Sequence, residues 1–319
     1  MKRRYLFLLL IVFSVLSLFI GVSKLPITEI HHWNEHQWHV FWISRFPRLM
    51  SILIAGVSMA IGGLIMQQLS RNKFVSPTTA GTIDSARLGI VFSLIFFSSA
   101  TPLVQTMISF LFALAGTMIF MQILDKIKLK DAIFIPLLGI MLGNVISSIT
   151  TFFAYQFDLI QSMSSWLQGD FSMILKGDYE LLYISVPLVF MAYIFAHRFT
   201  IAGMGEDFSK NLGLNHKQVV YIGLFIVALM TSVVVLTVGA IPFLGLIVPN
   251  IVSIYRGDNL KNSLGHTALL GALFVLFCDI LGRVIIYPYE VPIGLTVGVI
   301  GSALFIYLLL RRKAYAASY

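Results

Sequence analysis

Apolar stretches of about twenty residues, separated by short polar segments, recur along the whole chain. Ten windows stand out: 5–23, 49–69, 79–99, 103–124, 132–154, 181–198, 219–239, 241–254, 264–285 and 292–310. Most approach the length of about 20 residues that a helix needs to cross the hydrocarbon core. Lipid offers the backbone no hydrogen-bond partner, so such segments form helices. The strict alternation that marks a membrane barrel is absent. Two windows are weaker: 79–99 contains Asp84 and Arg87, and 241–254 is short and begins beside Pro242. The pattern predicts an all-α integral membrane protein with about ten transmembrane helices. No low-complexity tract or clear internal repeat divides it, so residues 1–319 read as a single transmembrane domain.

Composition agrees with the pattern and excludes other classes. Hydrophobic residues make up 58% of the 319 positions and charged residues only 11%, against roughly 25% in soluble domains. Mean hydropathy is +0.90. So few charges cannot solvate the surface of a 35.6 kDa globule, which argues against a soluble enzyme or a disordered chain. The net charge of +8 suggests nucleic acid only until the charges are placed. With ten spans and an inner N-terminus, 16 of the 22 basic residues fall on the inner side and four outside. This is the positive-inside asymmetry of a membrane protein, and it predicts that both termini are cytoplasmic in a multi-pass protein of the cytoplasmic membrane. It explains the basic balance without nucleic acid. The opening Met1-Lys2-Arg3-Arg4 before an apolar run resembles a signal peptide, but Gly21-Val22-Ser23-Lys24 is a poor cleavage site, so the run reads as an uncleaved first span. The one cysteine, Cys278, lies in an apolar run and excludes a disulfide framework.

Three longer polar segments remain. The outer segment 24–48 holds Trp33, Trp38 and Trp42, as expected near lipid headgroups. The outer segment 155–180 fits a partial helix and shows no catalytic arrangement. The inner segment 199–218 is polar and helix-compatible, with Gly203 and Gly205 at one end and Gly213 at the other. A short helix there exposes Glu206, Asp207 and Lys210 to the cytoplasm, either as an ordinary solvated loop or as a docking element for a partner.

Candidate chemistry is sparse. His31, His32, Glu35, His36 and His39 crowd one outer segment; on a helix the last four share a face, and imidazole with carboxylate suits zinc. The alternative is an interfacial segment, and no second ligand cluster completes a site, so no metal or cofactor is expected. Asp84 and Arg87 are spaced i,i+3, and Asp279 and Arg283 i,i+4; each pair can neutralise itself on one helical face within the membrane, structurally or functionally. Arg45 and Arg48 stand on the outer side against the charge trend, snorkelling to lipid phosphate or receiving a partner's carboxylates. Gly56, Gly62, Gly63, Gly294, Gly298 and Gly301 lie within spans, where small residues let helices approach. No G-x-x-x-x-G-K-[ST] phosphate loop, G-x-S-x-G or H-E-x-x-H occurs, so the chain is not expected to be an enzyme.

Several segments, taken in order, resemble one family. They are Arg45-x-Pro47-Arg48; Gly62-Gly63-x-x-Met66-Gln67-x-x-x-Arg71-Asn72; Pro77 with Gly81; Gly205-Glu206 with Leu212-Gly213; the run Gly239 to Pro249; Asp279-x-x-x-Arg283; and Glu290-x-Pro292-Ile293-Gly294. From about residue 45 to the C-terminus the chain is similar to the FecCD family of ABC importer permeases, which take up ferric siderophores, haem and cobalamin. The run 71–82 looks like the subgroup associated with catecholate siderophores.

The resemblance implies a type II ABC importer permease fold, a second permease subunit (the same chain or a different one), a cytoplasmic ABC ATPase dimer and an extracellular substrate-binding lipoprotein. It implies that Gly205, Glu206, Leu212 and Gly213 couple to the ATPase. It implies that Arg45, Arg48 and Arg283 receive the binding protein, and that Asn72 lies near the cytoplasmic gate. The sequence departs from the family at Asn72-Lys73-Phe74-Val75, at Pro249-Asn250, at Phe208 and Ser209, and at Asp84 and Arg87. The expected function is translocation of a ferric siderophore, with haem, cobalamin or another metal chelate as the alternative substrate. An ion-driven secondary transporter, with the two intramembrane pairs as its coupling site, is the alternative from another class.

Overall fold

The computed structural model describes residues 2–21, 26, 33–126 and 134–316, and these are helical with no strand among them beyond one isolated bridge. The chain runs through α1 (Arg3–Phe19), α2 (Glu35–Val40), α3 (Phe46–Leu69), α4 (Thr82–Phe96), α5 (Pro102–Lys126), α6 (Phe134–Gln156), α7 (Ile160–Leu167), α8 (Ser185–Ala202), α9 (Glu206–Asn211), α10 (His216–Val238), α11 (Leu244–Arg256), α12 (Leu260–Val284) and α13 (Ile293–Ala316). Each apolar window of the sequence coincides with one of the longer helices. Among the described residues, six helices are long and apolar enough to cross a membrane, and α11 and Ile293–Leu308 are shorter apolar helices. Helices α1 and α4 have 17 and 15 residues.

Helix α3 is the hub. Nearly every residue from Pro47 to Leu69 is buried, and it packs against α10, α11 and α12. Lipid tails are as apolar as leucine, so these helices associate through close packing rather than through escape from water. Glycine makes that packing possible at two crossings. A Cβ on Gly63 would lie 1.8 Å from the carbonyl oxygen of Gly245 on α11, and a Cβ on Gly271 of α12 would lie 2.5 Å from the carbonyl oxygen of Gly56. Helix α10 is similarly enclosed, whereas α6 and α8 leave most of their surface uncovered.

The termini of α2 and α3 follow from local chemistry. Asn34 caps α2 through a reciprocal capping box: its Oδ1 accepts from Gln37 N at 2.9 Å, and its own N donates to Gln37 Oε1 at 3.0 Å. A single π-helical turn, Phe41–Arg45, joins α2 to α3, and the carbonyl of Ile43 accepts from the backbone N of Lys176 at 2.9 Å. Trp33, Trp38, Phe41, Trp42 and Phe46 form a chain of ring contacts along this entry. The segment 155–180 contains the short helix α7, after which residues 168–170 rest on two helix ends: Asp170 N donates to Val238 O, and Gly294 N to Gly169 O.

Candidate functional site

Four places carry the polar chemistry of this apolar molecule. The first is a buried cluster where α3 and α12 meet the end of α1. Arg48 lies in the first turn of α3, and its guanidinium donates to Asp279 Oδ1 at 2.8 Å and to Glu290 Oε2 at 2.5 Å. Arg283, four residues beyond Asp279 on α12, pairs with the other carboxylate oxygen. The second edge of Arg283 donates to Ser17 O at 2.8 Å, to Ile20 O at 3.0 Å and to Ser17 Oγ at 3.0 Å. Arg45 donates to the same Ile20 carbonyl at 2.7 Å. Carbonyls at a helix C-terminus have no partner within the helix, and these arginines supply one for α1. Arg45, Arg48 and Arg283 are only 8%, 7% and 2% exposed. The carboxylates they hold are the chain's own.

The second place is the first turn of α4. Asp84 and Arg87 are 3.8 Å apart at their nearest charged atoms and partly exposed. The Asp84 carboxylate sits against α6 where Gly143 leaves room: a Cβ there would lie 2.6 Å from Asp84 Oδ2.

The third place is the turn after α3. Asn72 Oδ1 accepts from Phe74 N at 2.9 Å, so this side chain shapes its own turn. The turn is latched onto α11. Asn250 Nδ2 donates to Lys73 O and to Leu246 O, both at 2.8 Å. Lys73 Nζ donates to Ser253 Oγ at 2.6 Å and to Asp258 Oδ1 at 2.8 Å. A cavity of about 160 Å³ opens beside the latch, lined by Lys73, Phe74, Asn250, Ser253, Asp258 and Phe305 among others. The sequence singled out Asn72 and noted Asn250 only as a departure. The partners Ser253 and Asp258 carried no signal, because the contact spans about 180 positions.

The fourth place is the segment 199–218. Gly205 adopts φ +122°, a conformation that L side chains rarely take, and α9 begins on the next residue. Ser209 is buried and its Oγ donates to Gly205 O at 2.7 Å. Gly213, at φ +74°, ends the turn after α9. Glu206 and Lys210 pair at 2.8 Å on the exposed face, and the Lys210 ammonium holds the Glu206 carboxyl below its usual range. Phe208 and Leu212, 48% and 55% exposed, lie four residues apart and form an apolar ridge beside that charged pair.

Of the clustered histidines, His31 and His32 lie outside the described residues. Glu35, His36 and His39 are on α2, and no group of three or more metal-ligating side chains occurs among the described residues. A feature the sequence reading passed over is the exposed face of α6. Asn144, Ser148, Thr151 and Tyr155 are all exposed at helical spacing, an unusual polar stripe on a span-length apolar helix. The 3–4 residue period was legible; the exposure was not.

A sequence model of the FecCD transport family matches residues 9–311. The chain belongs to the FecCD transport family. The match begins well before residue 45 and takes in α1 from residue 9 onward. The petrobactin import system permease protein of Bacillus subtilis is 65% identical over 316 residues, covering 99% of this chain and 100% of that protein. The ferric-anguibactin transport system permease protein of Vibrio anguillarum is 40% identical, covering 92% and 94%. The petrobactin import system permease protein of Bacillus anthracis is 38% identical, covering 96% and 90%. Among solved structures, an inward-facing metal-chelate type ABC transporter superposes with a TM-score of 0.87 at 24% identity, covering 97% of this chain and 98% of that one. FecCD chains are multi-pass permeases of ABC importers in the cytoplasmic membrane, and this all-helical molecule has that fold.

Proposed function

We propose that the chain is the permease subunit of a binding-protein-dependent importer that carries a ferric siderophore of the catecholate type across the cytoplasmic membrane. The observation that carries the substrate class is the 65% identity, end to end, with a permease named for petrobactin import. The importer comprises ten spans per subunit with both termini inside, a second permease subunit, a cytoplasmic ATPase dimer and an extracellular substrate-binding lipoprotein. ATP is hydrolysed in the ATPase, and this chain supplies the path.

The polar stripe of α6 is the natural lining of that path. Residues that face lipid are apolar, and a stripe of amide and hydroxyl groups is tolerated where water or a partner helix meets it. Segment 199–218 is the coupling element, with Glu206 and the ridge of Phe208 and Leu212 seated in the ATPase between Gly205 and Gly213. Its motion reaches the turn at Asn72 through α10 and α11, and release of the Lys73–Asp258 latch opens the inner end. Docking of the binding protein over Arg45, Arg48 and Arg283 is supported by their clustering where α3 and α12 meet the end of α1. The guanidiniums are covered, so they act on acidic partners through the field at the surface rather than by direct pairing.

The test is uptake of radioactive ferric siderophore in cells lacking this chain. Wild type should restore it. Glu206→Lys and the double variant Arg45→Glu, Arg48→Glu should not, at matched membrane levels. Uptake that survives deletion of the chain overturns the substrate, and normal uptake by the variants overturns the assigned contacts.

A further inference from the structure

The two ion pairs read within spans differ in kind. Arg283 and Asp279 leave only 1% and 3% of their side chains exposed, and Arg283 also donates to Ser17 and Ile20. Arg87 and Asp84 leave 36% and 24% exposed, and their nearest charged atoms are 3.8 Å apart. That distance gives an attraction between charges and is too long for a hydrogen bond. Arg87 Nε is buried with no hydrogen-bond partner among the described residues. A guanidinium only donates, so Asp84 balances the charge of Arg87 and leaves its donors unanswered. A charged side chain at membrane depth is costly unless it is closely paired or meets water. Arg283 satisfies the first condition, and Arg87 requires the second.

The packing of α4 fixes where Arg87 stands. Asp84 is wedged against α6, where Gly143 leaves it room. Ala86 and Ile90 pack with Val235 and Leu236 of α10. A helix turns about 100° per residue, so Arg87 falls between these two faces and occupies the cleft between α6 and α10. Helix α7 packs against α4, α6 and α10, so it crosses the same cleft beyond the end of α6. Asn144, the first residue of the polar stripe of α6, directly follows Gly143. Arg87, in the second turn of α4, therefore stands beside that stripe with donors to spare.

We propose that Arg87 is a selectivity residue of the transport path, giving it a preference for anions and donating to the oxygens of a net-negative chelate as it passes. This rests on the reading that the path runs beside α6. A deprotonated catechol carries two negative charges, so a ferric complex of two or more catechols is net negative, and its oxygens accept charge-assisted hydrogen bonds. Asp84 has the opposite effect. Conduction requires binding strong enough for entry and weak enough for exit, and the fixed carboxylate competes with the passing anion so that it is not trapped.

The local field can be read without any siderophore. In the assembled importer, Asn144→Cys is reacted with an anionic and with a cationic thiosulfonate of similar size, the native Cys278 being buried. The ratio of the two rates, anionic over cationic, is expected to fall roughly tenfold when Arg87→Gln is added, from the Coulomb interaction of one charge across a partly hydrated cleft. Arg87→Lys keeps the charge and should keep most of the ratio. Asp84→Asn releases the cation and should raise the ratio, and this variant decides alone should Arg87→Gln fail to accumulate in the membrane. A ratio that neither variant moves, or that Asp84→Asn lowers, overturns the proposal. In uptake of a ferric catecholate, Arg87→Gln should raise KM more than it lowers the maximal rate, and an unchanged KM overturns the role in selection. A charge-dependent ratio in a wild-type importer that takes up no catecholate supports the anion preference and overturns the catecholate reading alone. Failure of Asn144→Cys to react with either reagent overturns the path beside α6 and this proposal with it.

Discussion

At the scale of single residues, the molecule spends its few charges on holding helices together. Asp279 is the centre of this arrangement because it answers two arginines, one from α3 and one from its own helix. Removing one member of a buried ion cluster leaves the others charged and unpaired, which costs about 3 kcal/mol or more. Asp279→Asn should therefore lower the thermal unfolding midpoint of the purified chain well below that of wild type, and Asp279→Glu should recover part of the loss. An unchanged midpoint would mean that Glu290 alone suffices for both guanidiniums. The exposed pair Glu206–Lys210 behaves differently. Because Lys210 lowers the folded-state pKa of Glu206, the support this pair gives α9 is fully present above the ordinary glutamate pKa, about 4.3. It is lost only as pH falls through the lower folded value. A spin label at position 211, introduced as Asn211→Cys with the native Cys278 buried in the core, should show constant mobility from pH 8 to about 5. It should loosen only in stronger acid. Glu206→Gln should remove that transition.

At the scale of elements, apolar windows read straight from the sequence coincide with helices because lipid leaves the backbone no other solution. The pairing of Asp279 with Arg283 was equally legible, since four residues make one turn. Arg48 was not, because its partner lies 231 positions away, and no local rule connects α3 to α12. The same holds for the arginines expected at the outer surface: their sequence position marked the outer end of a span, but whether they turn outward or inward depends on how α1 is seated. The segment 199–218 was legible as a polar helix between glycines, and the structure adds its apolar ridge. Because Phe208 and Leu212 are exposed, replacing them leaves packing within the chain intact. Phe208→Asp with Leu212→Asp should leave the amount of folded permease in the membrane within error of wild type, yet abolish co-purification of the ATPase and siderophore uptake together. Loss of uptake with the ATPase still bound would move the coupling contact away from this ridge.

At the scale of the whole molecule, the distribution of burial separates a scaffold from a working face. Helices α3 and α10 are enclosed, and α3 is joined to α11 and α12 by backbone-close crossings, whereas α6 is mostly uncovered. Exposure alone does not distinguish lipid from water, because α8 is uncovered too. The chemistry of the exposed surface does. Helix α8 presents Phe190, Tyr193 and Ile194, while α6 presents Asn144, Ser148 and Thr151 in register among exposed Ile140, Met141, Val145 and Phe152. Polar groups that faced hydrocarbon would lose their hydrogen-bonding solvent, so a hydrated path beside α6 accounts for both surfaces at once. In the assembled importer, cysteines placed at 144, 148 and 151 should react with a membrane-impermeant thiol reagent, and a cysteine at 194 should not. Alternating access requires the reactive side of the membrane to change with the nucleotide state of the ATPase, so reactivity at 144 and 151 should shift in opposite directions when ATP is bound. Equal protection of all four positions would place α6 against lipid and move the path elsewhere in the bundle.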